Sequence, residues 1–541
     1  MTRILIVVLL TATLSGCALP SSSPSENPVE PVEKTPEQVA TVVGDAPFPL
    51  LMRDETIVSQ LSNEPAPPPD IWRRIRAGFD LPDIDHARVE QQLSWYARNP
   101  EYMQRVAQRA RPYLYYIVET LEQYNLPLEI ALLPIVESAF QPFAYSHGRA
   151  SGIWQFIPST GRLYGLKQNW WYDGRRDIYA STEAAAKFLK RMHDYYDGDW
   201  MHALASYNSG LGNVNRAIRR NQVRNRPTDF FSLNLPRETE AYVPKLLALK
   251  KLIEAPQEYG LTIDPIPDEA YFARVDIQGQ IDLARAAELA DLDLDELYRL
   301  NPGYNRWATA PDGPHYLLLP KDSVATFEKR LAGLDRHQMV TWQRYRIRQG
   351  DTLSGIAARY NTSINTIKRI NQLRGTLLRE GQSLMIPVAS QQPENYRLSQ
   401  TQRTQRLQNR PRQGNKITHV VRPGDTFWEL AQRHSVSVRA LAAWNAMAPG
   451  DPLKPGQSLI IWSRRSDQAA LNPDQIALPA QRSLTKRIGY RVRRGDSLAR
   501  ISQKFRVSIG QLRKWNNLPV GKYLQPGQRL TLYVDVMQTS S

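Results

Sequence analysis

The chain has 541 residues, 42% hydrophobic and 23% charged, which is typical of a globular protein with about three to five domains. Lys and Arg outnumber Asp and Glu by 69 to 53, and the resulting net charge of +16 favours an anionic partner. The composition excludes a wholly disordered, collagenous or coiled-coil chain. The single cysteine excludes an intramolecular disulfide framework and any metal site built from several cysteines.

The N-terminus has the pattern of a signal peptide. Its apolar run, Ile4 to Leu10, is too short to span a membrane. The following Leu14-Ser15-Gly16-Cys17 resembles a bacterial lipobox, in which cleavage precedes the cysteine and the cysteine is acylated. We therefore predict a signal peptide over 1–16 and a lipid anchor on Cys17; the alternative is a signal peptide with a chance cysteine. Because Ala18 follows, the resemblance implies an outer-membrane lipoprotein that faces the periplasm of a Gram-negative bacterium.

A proline-rich segment separates this N-terminus from the first folded region. Residues 18–69 contain eleven prolines, which predicts a disordered tether over 17–69. From Asp70 onward, apolar residues recur at helical spacings, for example Val106, Tyr113, Ile117, Leu121 and Tyr124. The sequence predicts an all-α domain over 70–265, with a catalytic core at about 110–250.

Four short motifs follow one another in this helical domain. They are Glu137-Ser138, Gly152-Ile153-Trp154-Gln155-Phe156-Ile157-Pro158, Ala205-Ser206-Tyr207-Asn208-Ser209-Gly210 and Glu238-Thr239-Glu240-Ala241-Tyr242-Val243-Pro244-Lys245. Glu137 ends a predicted helix, and its neighbours at 135, 136, 139 and 140 are apolar. Apolar surroundings raise the pKa of a carboxyl group, and a neutral carboxylic acid can protonate a glycosidic oxygen. The alternative is a surface glutamate at a helix end.

In this order the motifs resemble the soluble lytic transglycosylase domain, which has a lysozyme-like helical fold. The resemblance implies a carbon–oxygen lyase that cleaves the β-1,4 bond between N-acetylmuramic acid and N-acetylglucosamine in peptidoglycan. Glu137 would act first as acid and then as base on the C6 hydroxyl, which closes a 1,6-anhydro ring without consuming water. The substrate's own N-acetyl group can stabilise the cationic centre, so neither a second carboxylate nor a cofactor is implied.

The same resemblance implies substrate-binding roles for five residues, namely Ser146, Gln155, Tyr207, Asn208 and Glu238. The Gln155 amide suits an acetamido group, although it could instead cap the core, and Tyr207 offers a hydroxyl near the acid and a face for sugar stacking. Glu238 is expected to order the cleft by hydrogen bonding.

Three further residues complete the expectations for this domain. Trp154 stands where many family members have methionine, so the local subsite shape is expected to differ. Ser138 is expected to hold the helix end. Tyr242 is equally compatible with the core and with the site.

The C-terminal half contains a threefold repeat. Each copy opens with an alternating strand and a Gly-Asp pair: Gly350-Asp351, Gly424-Asp425 and Gly495-Asp496. In each copy an asparagine follows the glycine by 21 residues, and the copy closes with Leu-x-x-Gly-Gln-x-Leu. This pattern predicts a βααβ unit in which Asp351 caps the first helix. It resembles the LysM domain, which implies binding to the N-acetylglucosamine-containing backbone of peptidoglycan and chitin.

The repeat predicts LysM 1 over 344–388, LysM 2 over 418–462 and LysM 3 over 489–534. A degenerate copy, here called the LysM-like module, is predicted over 273–320; it keeps the interval from Leu283 to Asn301 and a closing strand, Tyr316 to Pro320. It lacks the Gly-Asp turn, so we expect the fold without the sugar site. The segments 389–417, which is basic and expected to be a flexible tether, and 463–488 are predicted as linkers.

The predicted fold class is therefore multidomain: an all-α lysozyme-like domain followed by small α+β LysM repeats. Alternatives to the transglycosylase are a goose-type muramidase, with Asp173, Asp177 or Glu183 as base, and a non-enzymatic peptidoglycan-binding scaffold. Motifs for metal hydrolysis, nucleotide binding and serine nucleophiles are missing from the sequence, so we predict no metal and no cofactor. The expected partners are glycan strands and, through the lipid, a membrane. The lipobox argues against nucleic acid, and a monomer is the default.

Overall fold

The computed structural model describes residues 70–463, 485–493, 496–505, 507, 509–518 and 524–535. The predictions for the signal peptide, Cys17, the tether over 17–69 and Gly495 lie outside the described residues, as does most of the linker predicted over 463–488. Within the described ranges, no helix combines the length and apolar character needed to cross a membrane.

The N-terminal region is helical, which confirms the predicted all-α domain. Its helices are α1 (Ile71–Ala77), α2 (Ala87–Ala97), α3 (Pro100–Ala110), α4 (Leu114–Gln123), α5 (Leu133–Ser138), α6 (Pro158–Leu163), α7 (Ile178–Tyr195), α8 (Trp200–Ser209), α9 (Leu211–Gln222) and α10 (Arg237–Glu254). Short 3-10 turns occupy Leu128–Leu132, Phe230–Ser232 and Pro256–Tyr259. Asp177 and Asp199 begin α7 and α8 by accepting backbone N–H groups, which satisfies donors that a helix start leaves unpaired.

Helix α10 lies at the centre of this domain. It packs against α2, α5 and α8, and most of its second half is buried. Each fully buried leucine, such as Leu246 or Leu252, stabilises the fold by roughly 1.5–3 kcal/mol. Because α10 is packed on several sides, its position relative to α5 is closely determined.

The LysM-like module has the predicted βααβ order. It consists of β1 (Phe272–Asp276), α11 (Leu283–Ala290), α12 (Leu294–Leu300) and β2 (Tyr316–Pro320), and a further helix, α13 (Lys321–Ala332), follows. The two strands are antiparallel, with Phe272 opposite Pro320.

The three LysM repeats have the same order. LysM 1 comprises β3 (Thr341–Arg346), α14 (Leu353–Arg359), α15 (Ile364–Ile370) and β4 (Ser383–Val388). Between LysM 1 and LysM 2 lies α16 (Gln400–Asn409). LysM 2 comprises β5 (Asn415–Val420), α17 (Phe427–Arg433), α18 (Val438–Trp444) and β6 (Ser458–Ser463), and LysM 3 comprises β7 (Thr485–Arg491), α19 (Leu498–Phe505), α20 (Ile509–Trp515) and β8 (Arg529–Asp535). Each repeat holds one two-stranded antiparallel sheet.

The capping role predicted for Asp351 is wrong. Thr352 caps α14 by accepting the N–H of Gly355 at 3.1 Å. Asp351 instead accepts the backbone N–H of Arg348 at 2.8 Å and the hydroxyl of Tyr345 at 2.6 Å, and the Tyr345 hydrogen bond lowers the pKa of this carboxyl group. The carboxylate therefore closes the turn that precedes the helix, at the place where a glycine with a φ of 81° reverses the chain.

The equivalent aspartates act in the same way. Asp425 accepts the N–H of Arg422 at 2.8 Å, and Asp496 accepts the N–H of Arg493 at 2.8 Å. Gly424 also has a positive φ, 93°. The Gly-Asp pair is thus a feature of the turn rather than of the helix start.

The asparagine found at a fixed interval in each repeat ties the second helix to the closing strand. The side chain of Asn445 donates to the carbonyl groups of Leu441 and Ile460, both at 2.8 Å, and accepts the N–H of Ile460 at 2.7 Å. Asn301, Asn371 and Asn516 make the same three bonds in their own units. The degenerate module therefore keeps this clamp although it lacks the Gly-Asp turn.

Replacing Asn445 with alanine is expected to destabilise LysM 2 by about 2–4 kcal/mol, because buried backbone groups of Ile460 lose their partner. The Ile460 amide should exchange its hydrogen faster by at least about tenfold, since 1.4 kcal/mol corresponds to a factor of ten. Hydrogen exchange followed by mass spectrometry measures this. Asn409→Ala, at an exposed side chain, is the control, and equal protection of Ile460 in both variants would contradict the clamp.

The prediction that 389–417 is a flexible tether is wrong. Tyr396 is 1% exposed and donates its hydroxyl to both carboxylate oxygens of Asp282 in the LysM-like module, at 2.9 Å. The N–H of Gln400, at the start of α16, donates to the carbonyl of Asn305 at 2.8 Å. Because α16 has a single apolar residue, Leu407, and buries none of its side chains fully, its order comes from these tertiary contacts, which a sequence pattern does not reveal.

LysM 1 packs against two tryptophans from neighbouring parts of the chain. The indole N–H of Trp171, from the helical domain, donates to the hydroxyl of Thr366 at 3.0 Å. The indole N–H of Trp307, from the LysM-like module, donates to the carbonyl of Asn361 at 2.9 Å. Both indoles are buried, so these contacts exclude water as well as forming hydrogen bonds.

Candidate active site

Glu137 lies in the last turn of α5, where the backbone is tightly held. The helix ends at Ala139, whose φ of 51° is left-handed. The hydroxyl of Ser138 donates to the carbonyl groups of Pro134, at 3.2 Å, and Ile153, at 3.0 Å, so Ser138 holds the helix end as expected. The second of these bonds joins the acid-bearing helix to the loop that carries Gln155.

The environment of Glu137 raises the pKa of its carboxyl group towards neutrality. The side chain is half-buried, and burial raises its pKa to about 7, as its apolar neighbours predict. This value includes smaller opposing effects: the hydrogen bond from Tyr242 and the charge of Lys245 lower the pKa, and the negative charge of Glu238 raises it. A carboxyl group with a pKa near neutrality can both donate and accept a proton, which suits acid–base chemistry.

Tyr242 is the functional residue that the sequence left undecided. Its hydroxyl donates to Oε1 of Glu137 at 2.6 Å, and its ring is buried, with 3% exposure. Glu238, Tyr242 and Lys245 are spaced four and three residues apart, so they share one face of α10. All three affect the pKa of Glu137. This helical spacing was a signal in the sequence that could have placed Tyr242 at the acid.

Tyr207 lies near the acid but does not hydrogen-bond to it. Its hydroxyl donates to the carbonyl of Trp154 at 2.8 Å, and its ring packs against Phe156 and Phe188. The charge of Glu137 contributes, after burial, to a raised pKa of Tyr207, which reflects their proximity. Tyr207 therefore supports the loop that follows α5.

The Gln155 side chain folds back on its own loop. Its Nε2 donates to the carbonyl of Gly152 at 2.7 Å, and its backbone has a φ of 49°. Trp154 is fully buried and donates its indole N–H to Thr182 at 3.0 Å. Trp154 therefore does not line a subsite directly but fills the core beneath the loop, and its effect on the local subsite shape stays a prediction.

Known protein families match the helical domain, the LysM-like module and the three LysM repeats. The transglycosylase SLT domain matches residues 115–230, the LysM-like domain of lytic transglycosylase MltD matches 271–336, and the LysM domain matches 345–387, 419–462 and 490–532. Membrane-bound lytic murein transglycosylase D of Escherichia coli is 38% identical over 402 residues, which cover 72% of this chain and 86% of that protein. The chain belongs to the membrane-bound lytic murein transglycosylase D family.

Two further relatives share parts of the chain. A putative tributyltin chloride resistance protein of an Alteromonas species is 42% identical over 150 residues, which cover 28% of this chain and 72% of that protein. An autolysin of Enterococcus faecalis is 27% identical over 186 residues, which cover 34% of this chain and 24% of that protein. As a member of the lytic murein transglycosylase D family, the chain is a peptidoglycan lytic transglycosylase of the cell envelope with peptidoglycan-binding LysM repeats.

The other three residues predicted to bind substrate are Ser146, Asn208 and Glu238, and their surroundings differ from one another. Ser146 closes its own loop by accepting the N–H of Ala150 at 3.0 Å, and Asn208 joins α8 to α10 by accepting the hydroxyl of Thr239 at 2.7 Å. Glu238 is exposed and makes no side-chain hydrogen bond within the described part of the chain. The expectation that Glu238 orders the cleft by hydrogen bonding is therefore wrong; it acts on Glu137 through its charge.

Proposed function

We propose that this transglycosylase uses Glu137 as its only catalytic carboxyl group and leaves 1,6-anhydro-N-acetylmuramic acid ends. The observation that carries the proposal is the half-buried carboxyl with a pKa of about 7 and the Tyr242 hydroxyl on one of its oxygens. The resemblance to soluble lytic transglycosylases supplies the bond that is cleaved, the β-1,4 link between N-acetylmuramic acid and N-acetylglucosamine.

Each proton in the proposed reaction passes through Glu137. The protonated carboxyl donates its proton to the glycosidic oxygen while the bond from that oxygen to C1 breaks. The resulting carboxylate, stabilised by the Tyr242 hydroxyl, then takes the proton of the C6 hydroxyl, and the C6 oxygen forms the new bond to C1. Glu137 ends the cycle protonated again. No water enters the products.

The alternative, hydrolysis with a second carboxylate as base, gains little support from the three candidates. Asp173 forms an ion pair with a neighbouring arginine at 2.7 Å. Asp177 caps α7 and accepts the hydroxyl of Tyr316 at 3.0 Å. Glu183 accepts the hydroxyl of Tyr124 at 2.8 Å. Each carboxylate already has a structural partner, which disfavours its use in activating water.

Product mass tests the proposal directly. Residues 17–541 carrying Cys17→Ser would digest peptidoglycan, and the muropeptides would be weighed before and after borohydride reduction. Products lighter than hydrolytic ones by one water, with no reducible end, are the expected result. Reducible muramic ends would establish hydrolysis instead, and strand binding without products would establish a scaffold.

The roles of the remaining residues follow from their contacts. We propose that Gln155, Tyr207 and Asn208 shape the glycan cleft by holding the loop and helices around Glu137, and that Ser146 contributes from the loop beyond α5. Their hydrogen bonds to protein atoms support positioning roles. A substitution at any of them should change KM and leave the pH profile that reports the pKa of Glu137 nearly unshifted.

The pH dependence of kcat/KM separates Tyr242 from Glu238. Because the acid must be protonated, kcat/KM is expected to fall as the pH rises through about 7. Tyr242→Phe removes a hydrogen bond that lowers the pKa of Glu137, so the falling limb should move to higher pH. Glu238→Gln removes a negative charge that raises this pKa, so the limb should move to lower pH. Initial rates across the pH range measure both shifts.

Glu240→Gln is the control for the pH experiment. Glu240 lies on the same helix, but its carboxylate accepts the N–H of Leu235, and it is not among the groups that shift the pKa of Glu137. Its profile should match that of the unmodified enzyme. Limbs that move in the same direction for Tyr242→Phe and Glu238→Gln would contradict the assignment.

We also propose that the enzyme is a monomer attached to the outer membrane, facing the periplasm, through lipid on Cys17. The lipobox-like sequence and the family's description as membrane-bound support this anchor. Cells fed labelled palmitate should label the unmodified chain but not Cys17→Ser. An unlabelled wild-type chain would contradict the anchor, and a molar mass of two chains in sedimentation would contradict the monomer.

A further inference from the structure

A cavity of about 850 Å³ lies between the helical domain, α16 and LysM 2. We call it the arginine cavity, because the basic side chains that line it are Arg175, Arg176, Arg306, Arg403 and Lys454. A cavity of this volume is large enough for a short peptide or a similar ligand. It also borders Tyr145, Ser146 and His147, in the loop that begins at the end of the Glu137 helix.

Both carboxylates that line the arginine cavity already have cationic partners. Asp173 pairs with Arg175 at 2.7 Å. Asp451, on LysM 2, pairs with Arg149 at 2.7 Å and also accepts the hydroxyl of Tyr145 at 2.9 Å. Neither carboxylate forms an ion pair with the other arginines of the lining.

Three guanidinium groups are therefore left without a carboxylate among the described residues. Arg176 is only 6% exposed; its Nη2 donates to Oδ1 of Asn305, but its Nε has no hydrogen-bond partner. Arg403 lies over the ring of Phe143 at 4.2 Å, and its Nε is likewise buried and unpaired. Arg306 donates to a backbone carbonyl and to the hydroxyl of Thr401. Arginine stays charged at neutral pH, and the lining holds five basic side chains against two carboxylates, so the cavity carries excess positive charge even though the charge of Asp173 also acts on Arg176.

The positive charges of Arg176, Arg306 and Arg403 repel one another. Burial and the charge of Arg176 together lower the pKa of Arg306 to about 10. Burial and neighbouring arginines also lower the pKa of Arg176 and of Arg403, although the charge of Asp173 opposes this shift at Arg176. Clustered buried charges destabilise the free protein, and a bound anion would relieve both the repulsion and the unpaired donors. The cavity is thus complementary to an anionic group.

We propose that the arginine cavity binds a carboxylate of a peptidoglycan peptide stem while the attached glycan strand occupies the cleft of Glu137. This inference rests on the proposed function, since it takes the substrate to be peptidoglycan. The planar guanidinium fork matches a carboxylate and can bind it through two parallel hydrogen bonds. The loop bearing Ser146 lines the cavity and follows the acid-bearing helix along the chain, which favours a stem attached near the cleaved sugar as the ligand. The cavity would give the enzyme a preference for peptide-bearing strands.

The first test compares strands with and without their stems. The substrates are peptide-bearing glycan and the same glycan after the stems have been removed by an amidase. The unmodified enzyme is expected to have a kcat/KM about tenfold higher on peptide-bearing strands, as one charge-assisted bond would give. Arg403→Met keeps the aliphatic contact with Phe143 but removes the charge, and its ratio should fall towards one.

Arg406→Met is the matched control. Arg406 lies on the same helix and is exposed; it donates to the carbonyl of Arg397 and does not line the cavity. Its ratio should equal that of the unmodified enzyme. A ratio near one in the unmodified enzyme, or one that changes equally in both variants, would overturn the proposal. If Arg403→Met does not fold, Lys454→Met, at an exposed lining residue of LysM 2, replaces it.

The second test measures binding without turnover. A free stem tetrapeptide is titrated into the full chain carrying Glu137→Gln, with and without Arg403→Met, by calorimetry. The affinity should fall about tenfold in the double variant. Inorganic phosphate that binds as well as the peptide, or a peptide affinity that does not depend on Arg403, would overturn the assignment. This measurement needs no catalysis. Hydrolytic products in the product-mass experiment would therefore contradict the proposed reaction, while the calorimetry would still decide whether the arginine cavity binds the stem.

Discussion

Glu137→Gln is expected to lower kcat by about 10²–10⁴-fold, the range typical of a lost general acid–base group. Glutamine has nearly the same shape and can still accept the Tyr242 hydroxyl, so the surrounding structure should persist. It cannot give a proton to the glycosidic oxygen or take one from the C6 hydroxyl. Both halves of the proposed reaction therefore lose the same group. Release of anhydro-muropeptides over time measures the effect, and strand pull-down shows that binding remains.

Glu183→Gln is the matched control for this experiment. Glu183 was a candidate base for hydrolysis, and in the structure its carboxylate accepts the hydroxyl of Tyr124. Its replacement should change kcat by less than about threefold, since a general base would contribute at least about a hundredfold. If turnover were retained by Glu137→Gln but lost in Glu183→Gln, the catalytic role would belong to Glu183, and our assignment to Glu137 would be wrong.

Gly152→Ala is expected to destabilise the helical domain by roughly 3–5 kcal/mol, at the extreme end of effects seen for single substitutions. A Cβ atom at this position would lie 2.0 Å from the carbonyl oxygen of Arg175, and Gly152 has a φ of 83°. The obstacle is backbone, so a side-chain rotation cannot relieve it. Thermal unfolding, with loss of activity at the same temperature, measures the effect.

Gly165→Ala separates this close approach from ordinary backbone strain. Gly165 has a similar φ, 79°, but no atom lies within 4 Å of an added Cβ. Only the left-handed strain remains, which costs about 1–2 kcal/mol. Equal destabilisation of the two variants would mean that the approach of Arg175 to the loop does not limit the fold.

The features that the sequence predicted are those determined by neighbouring residues. The LysM order follows from a motif repeated at a fixed interval, and the raised pKa of Glu137 follows from apolar residues beside it in the chain. The helical domain follows from apolar spacing along single helices. Each of these signals lies within one element or one repeat.

The features that the sequence missed depend on residues distant in the chain. Tyr242 reaches Glu137 across 105 positions, and Tyr396 reaches Asp282 across 114. The helical spacing of Glu238, Tyr242 and Lys245 is a local signal for the first pairing, but it does not show that this face of α10 meets Glu137, and the second pairing leaves no local pattern. Asp351 shows a different difficulty, because it and Thr352 are both good helix caps. The N–H of Arg348 and the hydroxyl of Tyr345 hold the Asp351 carboxylate in the turn, which leaves Thr352 as the cap.

The seating of LysM 1 on Trp171 and Trp307 alters how several weak binding modules combine. Modules on flexible linkers gain avidity through an effective concentration that falls as the linker lengthens. Here much of the orientational entropy between LysM 1 and the helical domain is already lost on folding, so a strand that bridges them loses less when it binds. The gain in avidity therefore depends on whether the strand fits the fixed arrangement of LysM 1 and the helical domain, rather than on the length of a linker. Strands that fit the fixed spacing receive it in full, and strands that bend away receive none.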